Sequence, residues 1–373
     1  MELKDKNINL VLGGGGVKGI AYLGVFESAE QRGYIINNMA GVSAGSLAGA
    51  FKAAGYTAAQ LKAILYSFDL KKVYVNRAPE TVPIVARYLE FYEKYGQYRG
   101  SDPSYFFMCL SGGLNKSRGH KSSSYRRNIL ESILTFGKEG CLCDGDYLED
   151  WVYRVLLKRG IRTFGDLRGG LKYGINPDGY RIVMTAVDIN RGRLLFLPYD
   201  IQFYGIDPDK FEVAEAVRMS ISVPFAFKPV EIKKVENGTV REYNIVDGGV
   251  FDSFPHWAVE NTSYAPSVGF KLDGGESPIF NINAPLNVLR YLISLVHDLG
   301  IPKNTGYIKE NVARINTSKV PFLKFDLNEQ EKNYLYNSGK STAEQFFTSF
   351  EQRLMNLRSL RAMLYYPFRR RYF

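Results

Sequence analysis

The sequence predicts an α/β fold of three layers, a central and mostly parallel sheet with helices on both faces. Three observations carry that expectation. Residues 8–12 are apolar apart from Asn9 and read as a buried parallel strand. The strand runs into a glycine-rich turn, Gly13-Gly14-Gly15-Gly16-Val17-Lys18-Gly19, and then a helix over 20–31 closed by Gly33. A second strand, turn and helix follow at once over 34–55, with Gly41-Val42-Ser43-Ala44-Gly45 at the turn.

The pentapeptide has a steric logic. A serine on a sharp strand-to-helix turn adopts strained backbone angles and brings neighbouring backbones close, so the flanking positions cannot carry bulk. Its hydroxyl then stands at a helix N-terminus, where the dipole favours developing negative charge. A serine at a helix start is also an ordinary N-cap, so the pentapeptide needs company before it reads as catalytic.

The remaining elements follow in order. Thr57-Ala58-Ala59-Gln60 has the form of a capping box and opens a helix that runs to Phe68. Residues 71–150 change character: Tyr88, Phe91, Tyr92, Tyr95, Tyr98, Tyr105, Phe106 and Phe107 crowd together, and a Gly/Ser/Lys/Arg-rich piece spans 111–127. That region reads as an insertion capping the sheet, with helices over 128–136 and 147–158. The α/β pattern resumes with strands over 180–188 and 193–198, a short helix over 213–219 and the block Ser220-Ile221-Ser222-Val223-Pro224. A strand over 243–246 ends in Asp247-Gly248-Gly249, and another spans 268–271. An amphipathic helix is expected over 285–300, a helical stretch broken near Ser338-Gly339 over 329–350, and a last helix over 353–365. The domain reading is one unit over 1–350 with 71–150 inserted, then a basic amphipathic tail over 351–373.

Composition bounds the function. Of 373 residues, 45% are hydrophobic and 23% charged, enough for a full core. Lys plus Arg exceed Asp plus Glu by 48 to 38, a net charge of +10. That surplus suits an anionic partner, nucleic acid or an anionic membrane face. Cys109, Cys141 and Cys143 cannot all pair, and the last two lack a second ligand pair, so reduced thiols rather than zinc are expected. The charged N-terminus leads into a strand rather than a signal segment, and no run of 18 apolar residues exists, so the expected compartment is cytoplasmic.

A glycine-rich strand-to-helix turn, a serine elbow one unit later, and Asp-Gly-Gly after a later strand form one pattern. On Gly14–Gly19, Gly41–Gly45 and Asp247–Gly249, the chain resembles the patatin-like phospholipase family over roughly 7–70 and 180–350. Ser220–Pro224, Phe227–Val230 and the helix around Leu335–Phe346 support the likeness. The resemblance implies a serine lipid acyl hydrolase of phospholipase A or lysophospholipase type. Ser43 would be the nucleophile and Asp247 its base, a dyad without histidine. The amides of Gly14, Gly15 and Gly16 would hold the oxyanion. Lys18, at a helix start, could contact a phosphate headgroup or stand as a solvated lysine. No metal or organic cofactor is implied. Phospholipid or lysophospholipid is the expected partner, with no nucleic acid. The aromatic insertion, the Leu354, Leu357, Leu360, Leu364 pattern and Arg369-Arg370-Arg371 fit peripheral contact with an anionic membrane; a core-packed cap and a solvated tail fit the same residues.

The same residues allow other readings. An α/β-hydrolase triad would recruit His256 or His297; His120 sits in a solvated loop. Gly14-x-Gly16-x-x-Gly19 fits a dinucleotide fingerprint, but Asn37-Asn38-Met39-Ala40 stands where that motif wants an acid. A P-loop fails because Ile20 occupies the lysine position. Asp247 could be a plain turn residue. An acyl-enzyme could pass its acyl group to an acceptor other than water. A non-catalytic nucleotide- or lipid-binding module could keep the same turn.

Overall fold

The computed structural model describes residues 6–73, 145–274 and 311–365, apart from 225, 237, 263, 321 and 323. Most of the expected insertion falls outside these residues. So do the aromatics at 88–107, the three cysteines, His120, the expected helix 285–300 with His297, and the arginines at 369–371.

Residues 7–53 fold as their pattern predicts. Strand β1 (Asn7–Leu12) is buried throughout. A short 3-10 turn (Gly16–Ile20) leads directly into helix α1 (Ala21–Gln31). Strand β2 (Ile35–Val42) ends at the elbow, and helix α2 (Ala44–Ala53) leaves it. Helix α3 (Ala58–Ser67) opens on a complete capping box between Thr57 and Gln60. Helix α4 (Asp146–Leu157) follows the undescribed stretch. Then come β3 (Ile182–Asp188), β4 (Arg193–Leu197), helix α5 (Val213–Ser220), β5 (Val230–Glu236), β6 (Thr239–Asp247), β7 (Ser267–Asp273), β8 (Val312–Asn316) and helix α6 (Glu329–Tyr365).

The strands form one sheet in the order β5-β6-β3-β2-β1-β7-β8, with β4 also paired to β3. β3, β2, β1, β7 and β8 are parallel neighbours; β4, β5 and β6 add antiparallel pairs at one side. Side chains alternate across the sheet. Ile8, Leu10, Leu12, Met39, Ile182 and Met184 join the large core that buries the helices. Val11, Ala40 and Val183 point to the other face and pack under Phe254, Ala258 and Val259.

One feature of the pairing places the site. β2 runs parallel to β3 as far as Val42, opposite Thr185. From the next residue on, β3 pairs with β6 instead, antiparallel, beginning with Ala186 opposite Asp247. β4 pairs with β3 over Met184–Asp188 and so occupies its other edge. Two strands of opposite sense thus abut end to end along one edge of β3.

Two expectations change. The β5–β6 hairpin and β8 were not legible as strands beyond 243–246. β5 carries Glu231, Lys233, Lys234 and Glu236 among seven residues, so its apolar alternation stops after Val230 and Ile232. Its charges lie at a sheet edge and pair across the hairpin, as Lys233 does with Glu242 at 3.2 Å. The break expected near Ser338-Gly339 is absent, and α6 runs unbroken for 37 residues through the expected boundary at 350. Gly339 serves close packing: a Cβ there would sit 1.9 Å from the Ala21 carbonyl oxygen.

Candidate active site

Ser43 sits between β2 and α2 at φ 53° and ψ −123°. It is the one described non-glycine residue with positive φ. Such a conformation costs about 1–3 kcal/mol and persists where the surroundings over-determine it. The surroundings do so. A Cβ on Gly41 would lie 2.7 Å from the Gly45 carbonyl, and one on Gly45 would lie 2.2 Å from the Leu12 carbonyl oxygen. Both flanking positions therefore exclude any side chain. Ser43 occupies the N-cap position of α2, yet its hydroxyl caps no amide. The ordinary role of a serine at a helix start is not the one it plays here.

Its backbone amide is held from elsewhere. The Ser43 N–H donates to Oγ of Ser220 at 3.0 Å. The Ser220 hydroxyl donates to the Thr185 carbonyl at 2.7 Å and lies 2.7 Å from Oγ of Ser46. Two residues on, the carbonyl of Ser222 accepts the Asp247 N–H at 2.9 Å.

Asp247 ends β6 inside the protein, 3% exposed, and Ser43 is 4% exposed. Oδ1 of Asp247 accepts the Gly249 N–H at 2.6 Å and closes the Asp-Gly-Gly turn. Gly248 is fixed by space, since its Cβ would lie 2.5 Å from the Thr185 carbonyl oxygen. Desolvation pushes the Asp247 carboxyl up to about 7, while the Ser43 hydroxyl and the Gly249 amide pull it back down. The Ser43 hydroxyl thus reaches the carboxylate, but no well-aligned donor meets Oδ2. Catalytic hydrogen bonds are commonly loose without substrate and tighten when it binds. One oxygen builds the turn, and the other has no hydrogen-bond partner among the described residues.

The glycine turn borders the same place. A Cβ on Gly14 would lie 3.4 Å from Cβ of Ser43. The Gly14 amide is already committed, however, donating to the Ser253 carbonyl at 2.9 Å. That bond takes Gly14 out of the expected donor set and leaves it as the point of close approach. The Gly15 and Gly16 amides have no acceptor among the described residues. Gly16 needs its φ of +55°, and a Cβ on Gly15 would lie 2.3 Å from Cδ1 of Leu272. Lys18 lies on the 3-10 turn, its Nζ 3.0 Å from where a Cβ on Gly274 would be.

His256 makes no hydrogen bond to Ser43 or Asp247 among the described residues. Its Nδ1 lies 3.3 Å from the Phe254 carbonyl, two residues away. Asp252, a second buried acid nearby, is structural: its oxygens accept the Trp257 indole N–H at 2.8 Å and the Phe254 N–H at 2.9 Å.

The profile of the patatin-like phospholipases matches residues 10–259, a span that holds the glycine turn, Ser43 and Asp247. The chain belongs to that family.

A patatin-like phospholipase is an enzyme, a carboxylic ester hydrolase of lipids. The chain is 30% identical to the uncharacterized protein YqhO of Bacillus subtilis, over 91% of its own length and 97% of that protein's. It is 27% identical to lysophospholipase NTE1 of Candida albicans over 49% of its length, which is only 15% of that protein. Neuropathy target esterase sws of Drosophila persimilis matches at 30% over 38% of the chain and 10% of that protein. Among solved structures, VipD of Legionella pneumophila aligns at 17% identity and a TM-score of 0.47, covering 92% of this chain and 67% of that one.

Sequence reasoning placed Ser220 and Ser222 in a supporting block without a role. Their partners lie 177 and 25 residues away, and no local spacing points to them. The available signal was two serines bracketing a single isoleucine at the end of a buried helix.

Proposed function

We propose that this patatin-like enzyme hydrolyses fatty-acyl esters of phospholipids or lysophospholipids through a Ser43–Asp247 dyad. The observation that carries the proposal is the pairing of an uncapped, strained serine with a desolvated carboxylate whose Oδ2 is left without a well-aligned donor. Ser43 Oγ attacks the acyl carbonyl and its proton passes to Oδ2 of Asp247. The negative charge that develops on the carbonyl oxygen meets the amides of Gly15 and Gly16, donors preorganised by a turn that has no other use for them. The leaving alcohol takes the proton from Asp247 as the acyl-enzyme forms. Water then enters, gives a proton to Asp247 and attacks the ester; Asp247 returns that proton to Ser43 Oγ as the fatty acid leaves. An acid titrating near 7 serves both directions of proton transfer at neutral pH, which an ordinary carboxyl near 3.9 does poorly. Lys18, two residues beyond Gly16, brings a cation to the turn that receives the ester and meets the phosphate of the headgroup. A lysophospholipid substrate accords with the name of the NTE1 relative.

The test is fluorophosphonate treatment followed by intact-mass spectrometry and site mapping. One adduct is expected, on Ser43, with none on the Ser43→Ala protein. An adduct on another serine would overturn the assignment. Incubation of the enzyme with phospholipid and added alcohol then separates hydrolysis from acyl transfer by the products.

A further inference from the structure

We infer that Ser220 is the positioning residue for the nucleophile, and that the segment Ser220-Ile221-Ser222 sets the separation between Ser43 and Asp247. The inference rests on the dyad reading above and adds how the dyad is held.

Proton inventory fixes the directions of the bonds at Ser220. A serine hydroxyl has one proton and two acceptor lone pairs. The proton goes to the Thr185 carbonyl at 2.7 Å. The lone pairs then receive the Ser43 N–H at 3.0 Å and the hydroxyl of Ser46 at 2.7 Å, so Ser46 is the donor of that pair. Every capacity of the hydroxyl is filled, and Ser43, Ser46 and Ser220 are all buried. With its proton engaged by a main-chain carbonyl, Ser220 is not a competing nucleophile.

The bond to Ser43 matters because of where Ser43 stands. Its carbonyl is anchored by the amides of Ser46 and Leu47, the first turn of α2. Its amide lies outside the helix and has no main-chain partner; Ser220 is its acceptor. The strained angles are therefore pinned from both sides. The peg reaches back to Thr185, the β3 residue opposite Val42. The next residue of β3, Ala186, faces Asp247, whose amide is held by the Ser222 carbonyl at 2.9 Å. Thus one tripeptide grips the nucleophile by a side chain and the base by its main chain, at the joint where β2 gives way to β6. Ser222 is steadied in turn by Arg218, whose guanidinium donates to its Oγ at 2.5 Å.

Ser220→Ala removes the acceptor and leaves the Ser43 amide unpaired in a buried site. The elbow then relaxes away from its angles, and a shift of about 1 Å at a nucleophile lowers the rate on the order of 10²-fold. The experiment compares Ser220→Ala with Tyr56→Phe, which deletes a buried bond to the Val155 carbonyl far from the elbow. Both are assayed on a soluble short-chain p-nitrophenyl ester, with the rate of fluorophosphonate labelling and the melting temperature measured alongside. Ser220→Ala is expected to lose about 10- to 100-fold in kcat and in labelling rate, with KM within about twofold. Tyr56→Phe is expected to keep its kcat at a comparable loss of melting temperature. Should Ser220→Ala fail to fold, Ser220→Cys is close in shape and offers a poor acceptor, and its kcat is expected to fall by about three- to tenfold. A Ser220 variant with wild-type kcat and labelling rate would overturn the inference, as would rate losses in both variants that simply follow melting temperature. Failure of the underlying dyad reading would look different: the wild-type protein itself would take no label at Ser43.

Discussion

Val42 and Asp247 face consecutive residues of β3 but arrive there from opposite directions, one on a parallel strand and the other on an antiparallel one. Ser43 is the first residue past the end of β2, and Asp247 is the last residue of β6. Their meeting is a property of sheet register, fixed by the pairing of each strand with β3. No helix or flexible loop carries either residue to the other.

The dyad assignment is checked by substitution. Ser43→Ala is expected to abolish ester hydrolysis, and Asp247→Asn to lose about 10³-fold or more in kcat, the scale typical of triad members. His256→Ala is expected to retain activity, because its ring nitrogen engages only its neighbour's carbonyl among the described contacts. The measurement is turnover of a short-chain ester by variants shown to be folded by circular dichroism. A folded but inactive His256→Ala enzyme would reject the dyad.

The Asp247 carboxyl, pushed up to about 7 by burial, sets two pH dependences of opposite sense. A general base works ionised, so kcat/KM is expected to fall with a one-proton slope as pH drops below about 7. Stability runs the other way. The folded pKa exceeds that of the unfolded chain, so the folded state binds the proton more tightly. The stability from this group is present below about 3.9 and is lost as pH rises to about 7. Asp247→Asn never ionises and escapes that loss. Its melting temperature, relative to wild type, is expected to climb between pH 4 and 7 and then level off. A difference that is flat with pH, or that shrinks as pH rises, would rule this out.

Gly16→Ala is expected to fold with a displaced turn and to lose at least about 10²-fold in kcat, the scale of one lost oxyanion donor. The added Cβ would meet the Phe322 carbonyl oxygen at 2.4 Å and force a φ of +55° on alanine. Steady-state kinetics on the short-chain ester decide it, and wild-type kcat in Gly16→Ala would remove Gly16 from the donor pair.

Much of this was legible in the sequence, and what was not has physical causes. The glycine turn, the elbow and Asp-Gly-Gly are steric demands: Gly15, Gly16, Gly41, Gly45 and Gly248 stand where a Cβ would strike backbone or a side chain, so the need for glycine shows in the sequence although most of the atoms struck lie far along the chain. The Thr57–Gln60 capping box is local, and the structure contains it in full. The commitment of the Gly14 amide to Ser253 is not local, since the partner comes from a loop over 200 residues away. The β5 strand hid because ion pairs, not apolar alternation, line its exposed edge. Gly339 misled for a related reason. Glycine lowers helix propensity, and only the approach of a second helix reveals why one is tolerated there.

Gly339→Ala tests that last point against propensity. Alanine favours an isolated helix by about 1 kcal/mol over glycine. Here the added methyl would fall 1.9 Å from the Ala21 carbonyl oxygen, and Gly24 on α1 faces α6 as tightly, 2.3 Å from the Tyr336 carbonyl oxygen. Overpacking of this kind typically costs about 1–3 kcal/mol. The net expectation is a lower melting temperature, read by thermal unfolding; a higher one would mean the helices can separate freely.

The crossing of α1 and α6 makes the far end of the chain a splint for the near end. α1 continues without a gap from the turn that carries Gly16, so whatever grips α1 steadies that turn. The stretch before α6 grips it too, because the Phe322 carbonyl accepts the Val17 N–H at 3.3 Å. A chain cut at residue 259, the end of the family match, would keep Ser43, Asp247 and every glycine of the turn. It would lose β7, β8 and α6, and with them the packing that steadies the Gly16 turn. On the proposed reading, a chain that ends at residue 259 is expected to lose activity although it keeps the whole of the family match.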